Sequence, residues 1–227
     1  MRRLQLSLHL ESDTTFGRGE GLAGLVDEEI EYDTATGLPF VRGRTLKGLL
    51  VEECANLLFA LRKADLPALT RLEKAAVRLF GQPGATLEGA AQLHIGPALL
   101  PQRLRDAVRS GIARKTLKPA DVLESLTAIR RQTAIDEVWG ASEDGSLRSL
   151  RVVLRQTSFQ SRLDFATDPT EDDLALLAAC TLSVRRGGIG RNRGRGRLRL
   201  QLQGQDEQGN DVTYFERFKQ LVKGEQG

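Results

Sequence analysis

Leucine at every second position predicts strands near both ends of the chain. Residues 4–10 and 198–202 alternate leucine with polar residues, so each strand has one buried face and one polar face. Two further strands are predicted over 92–96 and 152–165. The regular alternation indicates that the outer strands of the chain belong to a sheet covered on one side.

Apolar residues at helical spacing predict the helices that connect these strands. The helices are expected over residues 46–61, 67–80, 101–110, 119–131, 171–182 and 214–222. Thr170 precedes the fifth helix, and Asp173 lies three residues after Thr170, as in a capping box. Gly187 is expected to end that helix as its C′ residue.

The order of the elements predicts an α+β fold of the ferredoxin-like or RRM-like kind, in one domain. Such a fold has a four-stranded sheet with helices on one face, and its other face is free for RNA. We expect an RRM-like core over residues 1–60 and 152–205, a helical insertion over 61–131, a protruding thumb hairpin over 132–151 and a C-terminal helix over 210–224.

A stretch rich in glycine and arginine joins the fifth helix to the last strand. Residues 185–199 contain seven arginines and five glycines and no acidic residue. Glycine lets a polyanion approach the backbone closely, and guanidinium groups bind phosphate in a bidentate manner. A disordered, solvated segment or a simple basic turn are the alternatives, but the flanking helix and strand favour an ordered phosphate-binding loop. Its candidate contacts are Gly187, Gly188, Gly190, Arg191, Asn192, Arg193, Gly194, Arg195 and Gly196.

The positive charge of the protein is local to this stretch. The chain has 33 basic and 30 acidic residues, and without the seven arginines 26 basic residues remain against 30 acidic ones, a net charge of −4. A basic surface confined to one loop is typical of a nucleic-acid contact. A second candidate anion site is the start of the first helix, where Thr45 is a possible N-cap between Arg44 and Lys47. The alternative there is a solvated basic cap.

Other classes of protein and site are disfavoured by the composition. The chain lacks an apolar run of membrane-spanning length and a signal peptide, so we expect a cytoplasmic protein without a membrane partner. Cys54 and Cys180 fall on apolar helix faces and are expected to be buried free thiols. With only two histidines and two cysteines, all far apart, the sequence does not support a zinc site.

Several segments in the same order resemble the RAMP superfamily of CRISPR-associated proteins. The glycine-rich loop before the last strand is similar to the superfamily's signature. Residues 24–27, Asp33 and residues 37–48 resemble the G-x-x-D … D-x-x-T-G-x-P-x-x-x-G-S-S-x-K-G segment of the repeated backbone subunits of type III effector complexes. Residues 79–81, 135–136 and 145–147 resemble the central and thumb segments of those subunits.

The resemblance implies a crRNA-binding subunit that stacks head-to-tail with neighbouring RAMP subunits along the guide. Its partners would be the crRNA, the single-stranded target RNA and other type III CRISPR subunits, including a large signature subunit. The thumb would displace one nucleotide of the guide–target duplex at regular intervals. The guide contacts implied are Arg42, Arg44, Thr45, Lys47, Arg148 and the glycine-rich loop.

In nuclease members of the superfamily, an aspartate in the loop after the first strand supports metal-dependent cleavage of the target RNA, and Asp27 matches that position. The resemblance therefore implies that Asp27 is the catalytic and metal-binding residue, with Mg²⁺ as the expected divalent metal. An ordinary surface carboxylate is the alternative. RNA supplies its own 2′-OH nucleophile, so a carboxylate that holds one metal ion suits this chemistry.

The chain also departs from the family pattern. Residues 12–17 lack the histidine of the usual G-x-H-x-G segment, and Arg44 and Thr45 replace the two serines. These differences point to a divergent subtype such as type III-D. Two alternatives remain open. One is a non-catalytic scaffold that only binds the guide. The other is a stand-alone endoribonuclease that processes precursor crRNA, for which His9, His94 and the two tyrosines are the available general bases.

Overall fold

The computed structural model describes residues 3–21, 26–82, 89–133, 148–205 and 213–224. The elements, in chain order, are β1 (Arg3–Leu10), α1 (Gly43–Lys63), α2 (Leu69–Phe80), β2 (Leu93–Ile95), α3 (Gln102–Ala113), α4 (Pro119–Leu126), β3 (Thr127–Gln132), β4 (Arg148–Val153), β5 (Ser158–Phe165), α5 (Glu171–Ser183), β6 (Leu198–Gln205) and α6 (Phe215–Lys223).

A four-stranded antiparallel sheet in the order β2-β5-β1-β6 forms the centre of the fold. The first and third strands of this sheet along the chain are neighbours in its middle, and the second and fourth strands are its edges. This is the split βαβ arrangement, so the predicted α+β ferredoxin-like fold is confirmed. The leucines of residues 4–10 are buried, as their alternation predicts.

Helices α1, α2, α5 and α6 pack together on the leucine face of the sheet, with α5 in the middle of them. α5 contacts α1, α2, α6 and β6, and its residues from Asp173 to Thr181 are all buried. The predicted capping box between Thr170 and Asp173 is present. Cys54 on α1 and Cys180 on α5 are buried free thiols, which confirms that expectation.

The opposite face of the sheet is polar. In the register of the strands, Gln5 lies between Arg162 and Gln203, and His9 lies between Ser158 and Arg199. His9 Nδ1 is 2.9 Å from Ser158 Oγ. The expectation that this face binds RNA stays a prediction. The strand residues described there offer amides, hydroxyls, charges and the imidazoles of His9 and His94, but no Phe, Tyr or Trp ring for base stacking.

Three local predictions differ from the structure. The helix expected over 119–131 ends at Leu126, because residues 127–132 pair with β4 as the strand β3. The strand expected over 152–165 is two strands, separated by a turn in which Gln156 has φ +67°. The fifth helix ends before Gly187, at Ser183, and Gly187 instead belongs to the glycine-rich loop.

β3 and β4 form a separate antiparallel hairpin at the base of the predicted thumb. Residues 134–147, which include most of the predicted thumb and Trp139, lie outside the described residues, as do Gly24 and residues 210–212. The C-terminal helix is described as α6. The described ranges contain no helix with the length and apolar character needed to cross a membrane.

Candidate nucleic-acid interface

The glycine-rich loop is an ordered lobe between α5 and β6. Its two arms are joined by hydrogen bonds from Leu198 N to Arg185 O (3.0 Å) and from Gly187 N to Gly196 O (2.9 Å). A turn closes the tip, where Arg193 N donates to Gly190 O at 2.8 Å. The flanking elements therefore fix both arms, and the alternative of a disordered segment is wrong.

Two glycines of the loop are required by both backbone conformation and space. Gly188 has φ +82°, and a Cβ there would collide with the carbonyl oxygen of Thr15. Gly196 has φ +71°, and a Cβ there would collide with the carbonyl oxygen of Gly187. Any other residue type would combine left-handed strain with a backbone clash, so the glycine content here has a structural cause.

The lobe rests on the segment that follows β1. Ile189 N donates to Thr15 O at 2.8 Å, and Arg197 N donates to Ser12 Oγ at 2.9 Å. Thr14 and Thr15 are buried. This segment lies where the resemblance places the G-x-H-x-G pattern, and here a backbone carbonyl and a serine hydroxyl brace the loop.

The arginines of the loop fall into two groups. Arg191 forms a bidentate ion pair with Glu52 of α1 (2.8 Å for each bond), which raises the pKa of Arg191 and lowers that of Glu52. Arg199, just after the lobe, pairs with Glu11 at 3.1 Å. The other five form no ion pair with any acid in the described ranges: Arg185, Arg186, Arg193, Arg195 and Arg197.

The backbone amides of the loop are divided in the same way. Those of Gly187, Ile189, Arg193 and Gly196 donate to carbonyl oxygens of the protein. No backbone hydrogen bond within the described chain uses the amides of Gly188, Gly190, Arg191, Asn192, Gly194 and Arg195. Three of the nine predicted contact residues thus use their amides to hold the loop, and the amides of the other six are available to a phosphate.

The second candidate anion site lies beside the loop, at the start of α1. The helix begins at Gly43, so Thr45 lies in its first turn and is not the N-cap. Gly187 packs against Leu49 of α1 and against Phe16. Glu52, which holds Arg191, is only about 7.5 Å further along the helix axis than Lys47. The loop therefore contacts α1 at Leu49 and Glu52, within about three turns of the helix start.

The basic residues at the start of α1 differ in whether they form ion pairs. Arg42 is ion-paired with Glu31 and is partly covered. Arg44 is exposed and Lys47 is half-buried, and within the described residues neither has an acidic partner. The first turn of α1 contains no acidic residue. Arg44 and Lys47 are therefore the cations of this site that can reach an anion without breaking an ion pair.

Asp27 lies on a segment that pairs in parallel with β4. Asp27 N donates to Ser149 O at 2.9 Å, and Arg151 N donates to Glu28 O at 3.1 Å. The backbone N–H and hydroxyl of Ser149 both donate to Asp27 Oδ2, at 2.6 and 3.1 Å. These bonds, together with the nearby Arg148, hold the pKa of the exposed Asp27 carboxyl below its usual range.

A buried ion pair lies two residues further along the same two segments. Arg151 Nε donates to both oxygens of Glu29, at 2.8 and 3.1 Å, and Arg151 Nη1 donates to Thr127 Oγ1 at 3.3 Å. Glu29 is 0% exposed and Arg151 is 8% exposed. Sequence reasoning missed this pair, because nothing in the acidic run 27–29 distinguishes the buried carboxylate from its exposed neighbours.

Asp27 could bind a Mg²⁺ ion only if water and substrate phosphates supplied the other ligands. The described ranges contain no group of three or more His, Cys, Asp or Glu side chains arranged to hold a metal. The bonds from Ser149 use only Oδ2 of Asp27. One exposed carboxylate can share Mg²⁺ with water and substrate phosphates, as this ion prefers. The catalytic and metal-binding roles of Asp27 stay predictions.

Comparisons with known proteins identify the fold and the family of this chain. Two solved structures share the fold over 89% of this chain and 97% of theirs. One is of the type III-B Cmr-beta complex bound to cognate target RNA (TM-score 0.61, 14% identity), and the other is of the same complex in its apo state (TM-score 0.60, 15% identity). No curated protein sequence matches the chain. The sequence model of the RAMP superfamily matches residues 7–199. That match spans most of the chain and includes the loop, the α1 start and Asp27, and the chain therefore belongs to the RAMP superfamily.

Proposed function

We propose that this RAMP protein is a crRNA-binding backbone subunit of a type III CRISPR effector complex and that it cuts the guide-paired target RNA. The observation that carries the proposal is the glycine-rich loop, an ordered arginine-rich lobe that is packed on α1 and held there by the Arg191–Glu52 pair. Its exposed arginines and unengaged amides suit a ribose-phosphate chain. The fold shared with subunits of a complex bound to target RNA gives independent support.

The guide would be held through its backbone, and base pairing would read the sequence. Arg193, Arg195 and Arg44 offer guanidinium groups that no described acid engages, and such groups bind phosphate oxygens in a bidentate manner. The target RNA, neighbouring RAMP subunits in a head-to-tail filament, and a large signature subunit are the further partners that we propose.

Cleavage requires little covalent chemistry from the protein. The 2′-OH of the displaced nucleotide attacks the adjacent phosphorus, and the bond to the 5′-oxygen of the next nucleotide breaks, giving a cyclic phosphate and a 5′-hydroxyl end. The protein has to hold the nucleotide in line for this attack. Asp27 would hold a divalent cation, which supplies charge stabilisation at the phosphate when bound.

The test is a reconstituted complex with Asp27→Ala beside the wild type, and with Glu28→Ala as the neighbouring acidic control. We expect regularly spaced cuts in the wild type and the control, and a loss of about 100-fold or more in rate for Asp27→Ala, as for other losses of a group that acts at the reacting phosphate. Target cutting by Asp27→Ala at the wild-type rate would refute the catalytic assignment.

A non-catalytic scaffold is the second candidate, and the absence of a multi-carboxylate group within the described ranges favours it. A complex that binds guide and target but cuts nothing would establish it. A stand-alone processing enzyme has less support, since His9 and His94 both belong to strands of the central sheet, outside the basic loop and the α1 start. Cleavage of repeat RNA by the isolated protein without metal would favour that function.

A further inference from the structure

The segment that carries Asp27 is attached to the base of the thumb. Ser149 exchanges three hydrogen bonds with Asp27: it accepts one from the Asp27 amide and donates two to the carboxylate, at 2.6 and 3.1 Å. The hydrogen bond from the Ser149 backbone amide to the Asp27 carboxylate is charge-assisted and short, so it is one of the strong kinds of hydrogen bond. The orientation of the exposed Asp27 side chain is thus determined by β4.

The register between the two segments is fixed by what lies beside this contact. Glu28 and Leu150 form a parallel bridge, and the next pair of residues is the buried ion pair of Glu29 and Arg151. A slip of one residue would separate two buried charges, which is strongly unfavourable. The same slip would remove Ser149 from Asp27.

From this geometry we propose that Ser149 is the positioning residue for the Asp27 carboxylate, and that the Glu29–Arg151 pair keeps the two aligned. The catalytic meaning of this inference rests on the proposed function. β3 and β4 are consecutive antiparallel strands, so the predicted thumb extends from the strand that orients Asp27. The thumb, which is proposed to displace a target nucleotide, and the Asp27 carboxylate, which is proposed to support cleavage, are therefore both attached to β4.

The attachment of both the thumb and Asp27 to β4 has a direct consequence for catalysis. In-line attack tolerates little misplacement, and an error of about 1 Å can cost about 100-fold in rate. A carboxylate hydrogen-bonded to the thumb base keeps a fixed position relative to that base. Ser149 acts through Asp27 and has no proposed contact with RNA, so its loss should reduce turnover and leave target binding unchanged.

The first test compares Ser149→Thr with Ser149→Val in the reconstituted complex. These variants have nearly the same shape, but only threonine keeps the hydroxyl that donates to Asp27. We expect Thr to retain at least about half of the wild-type kcat and Val to lose about 10-fold, roughly the effect of one charge-assisted hydrogen bond, with the KM for target RNA unchanged. Equal kcat values for Thr and Val, or a Val defect confined to KM, would overturn the inference.

The second test needs neither RNA nor activity. Hydrogen exchange of the Ser149 amide, followed by NMR in the full chain, should accelerate about 10-fold or more in Asp27→Ala, because its acceptor is removed. The Arg151 amide, which donates to Glu28 O, serves as the internal control and should stay protected. Unchanged exchange at Ser149 would show that the contact is absent and would overturn the inference.

The two tests separate this inference from the proposed function. If the wild-type complex cuts no target but the Ser149 amide depends on Asp27, the proposed nuclease activity is wrong and the positioning contact stands. If the wild type cuts while Ser149→Val cuts equally well, the nuclease stands and the positioning role is wrong. If Ser149→Val fails to fold, the Asp27→Ala exchange measurement and the kcat of Ser149→Thr decide the matter.

Discussion

Replacement of Arg151 by methionine should destabilise the protein strongly. Methionine keeps most of the side-chain volume but removes the guanidinium that satisfies Glu29, whose side chain is 0% exposed. Among the residues that the structure describes, only the Ile30 amide, at 2.9 Å, would still donate to the carboxylate. Breaking a buried pair in this way costs about 3–5 kcal/mol, and we expect Arg151→Met to lower the free energy of unfolding by that amount.

Urea unfolding followed by circular dichroism measures this loss. With a slope of about 2 kcal/mol per molar urea, the midpoint should fall by roughly 2 M. The double variant Glu29→Met with Arg151→Met leaves no buried charge and should recover most of the loss, since apolar replacement of such pairs is often neutral.

An exposed ion pair provides the matched control. Arg71 forms a bidentate pair with Asp172, but 54% of its side chain is exposed. Arg71→Met should therefore cost only about 0.2–1 kcal/mol. If Arg151→Met cost no more than this control, the reasoning from burial would be refuted.

Three further outcomes are expected. Gly188→Ala should weaken guide binding about 10-fold or more in a filter-binding assay, whereas Gly194→Ala, at φ +83° with open space around it, should cost only the backbone strain; equal effects would contradict the steric argument. Glu52→Gln should tighten guide binding about 3-fold or more because it frees Arg191, and weaker binding would contradict that role. Burial raises the pKa of Asp13, but a guanidinium from β3 and a backbone amide outweigh it and the net pKa is lowered. The contact of Asp13 thus stabilises the protein at pH values above the ordinary carboxyl pKa, and this stabilisation is lost as the pH falls through the lowered pKa. The melting temperature of Asp13→Asn should therefore lie below that of the wild type at pH 7 and approach it in strong acid.

Local sequence signals predicted the elements whose stability is local. The leucine alternation of β1 corresponds directly to burial, because each strand residue faces one side or the other. The capping box of α5 needs only Thr170 and Asp173, three residues apart. The position of the glycine-rich loop follows from the helix and strand that flank it.

Elements that depend on partners distant in the chain could not be predicted from local sequence patterns. Residues 127–132 are a strand only because β4 pairs with them, and the helical pattern of residues 119–131 gave no sign of that partner. Glu29 is buried because Arg151, far along the chain, meets it. The contact between Ser149 and Asp27 arises from the same parallel pairing. Such features belong to the tertiary structure, so a local pattern contains no trace of them.

The central claim is that the glycine-rich loop binds the guide through phosphate contacts, and the salt dependence of guide binding tests it most directly. The variant is Arg193→Ala with Arg195→Ala, and the control of equal charge is Arg103→Ala with Arg109→Ala on α3. Each phosphate contact on a single strand contributes about 0.7 to the slope of log K against log salt. The account predicts that the loop variant weakens binding and reduces this slope by about 1.4, while the control keeps the wild-type slope. An unchanged slope in the loop variant, or the same change in the control, would contradict the account.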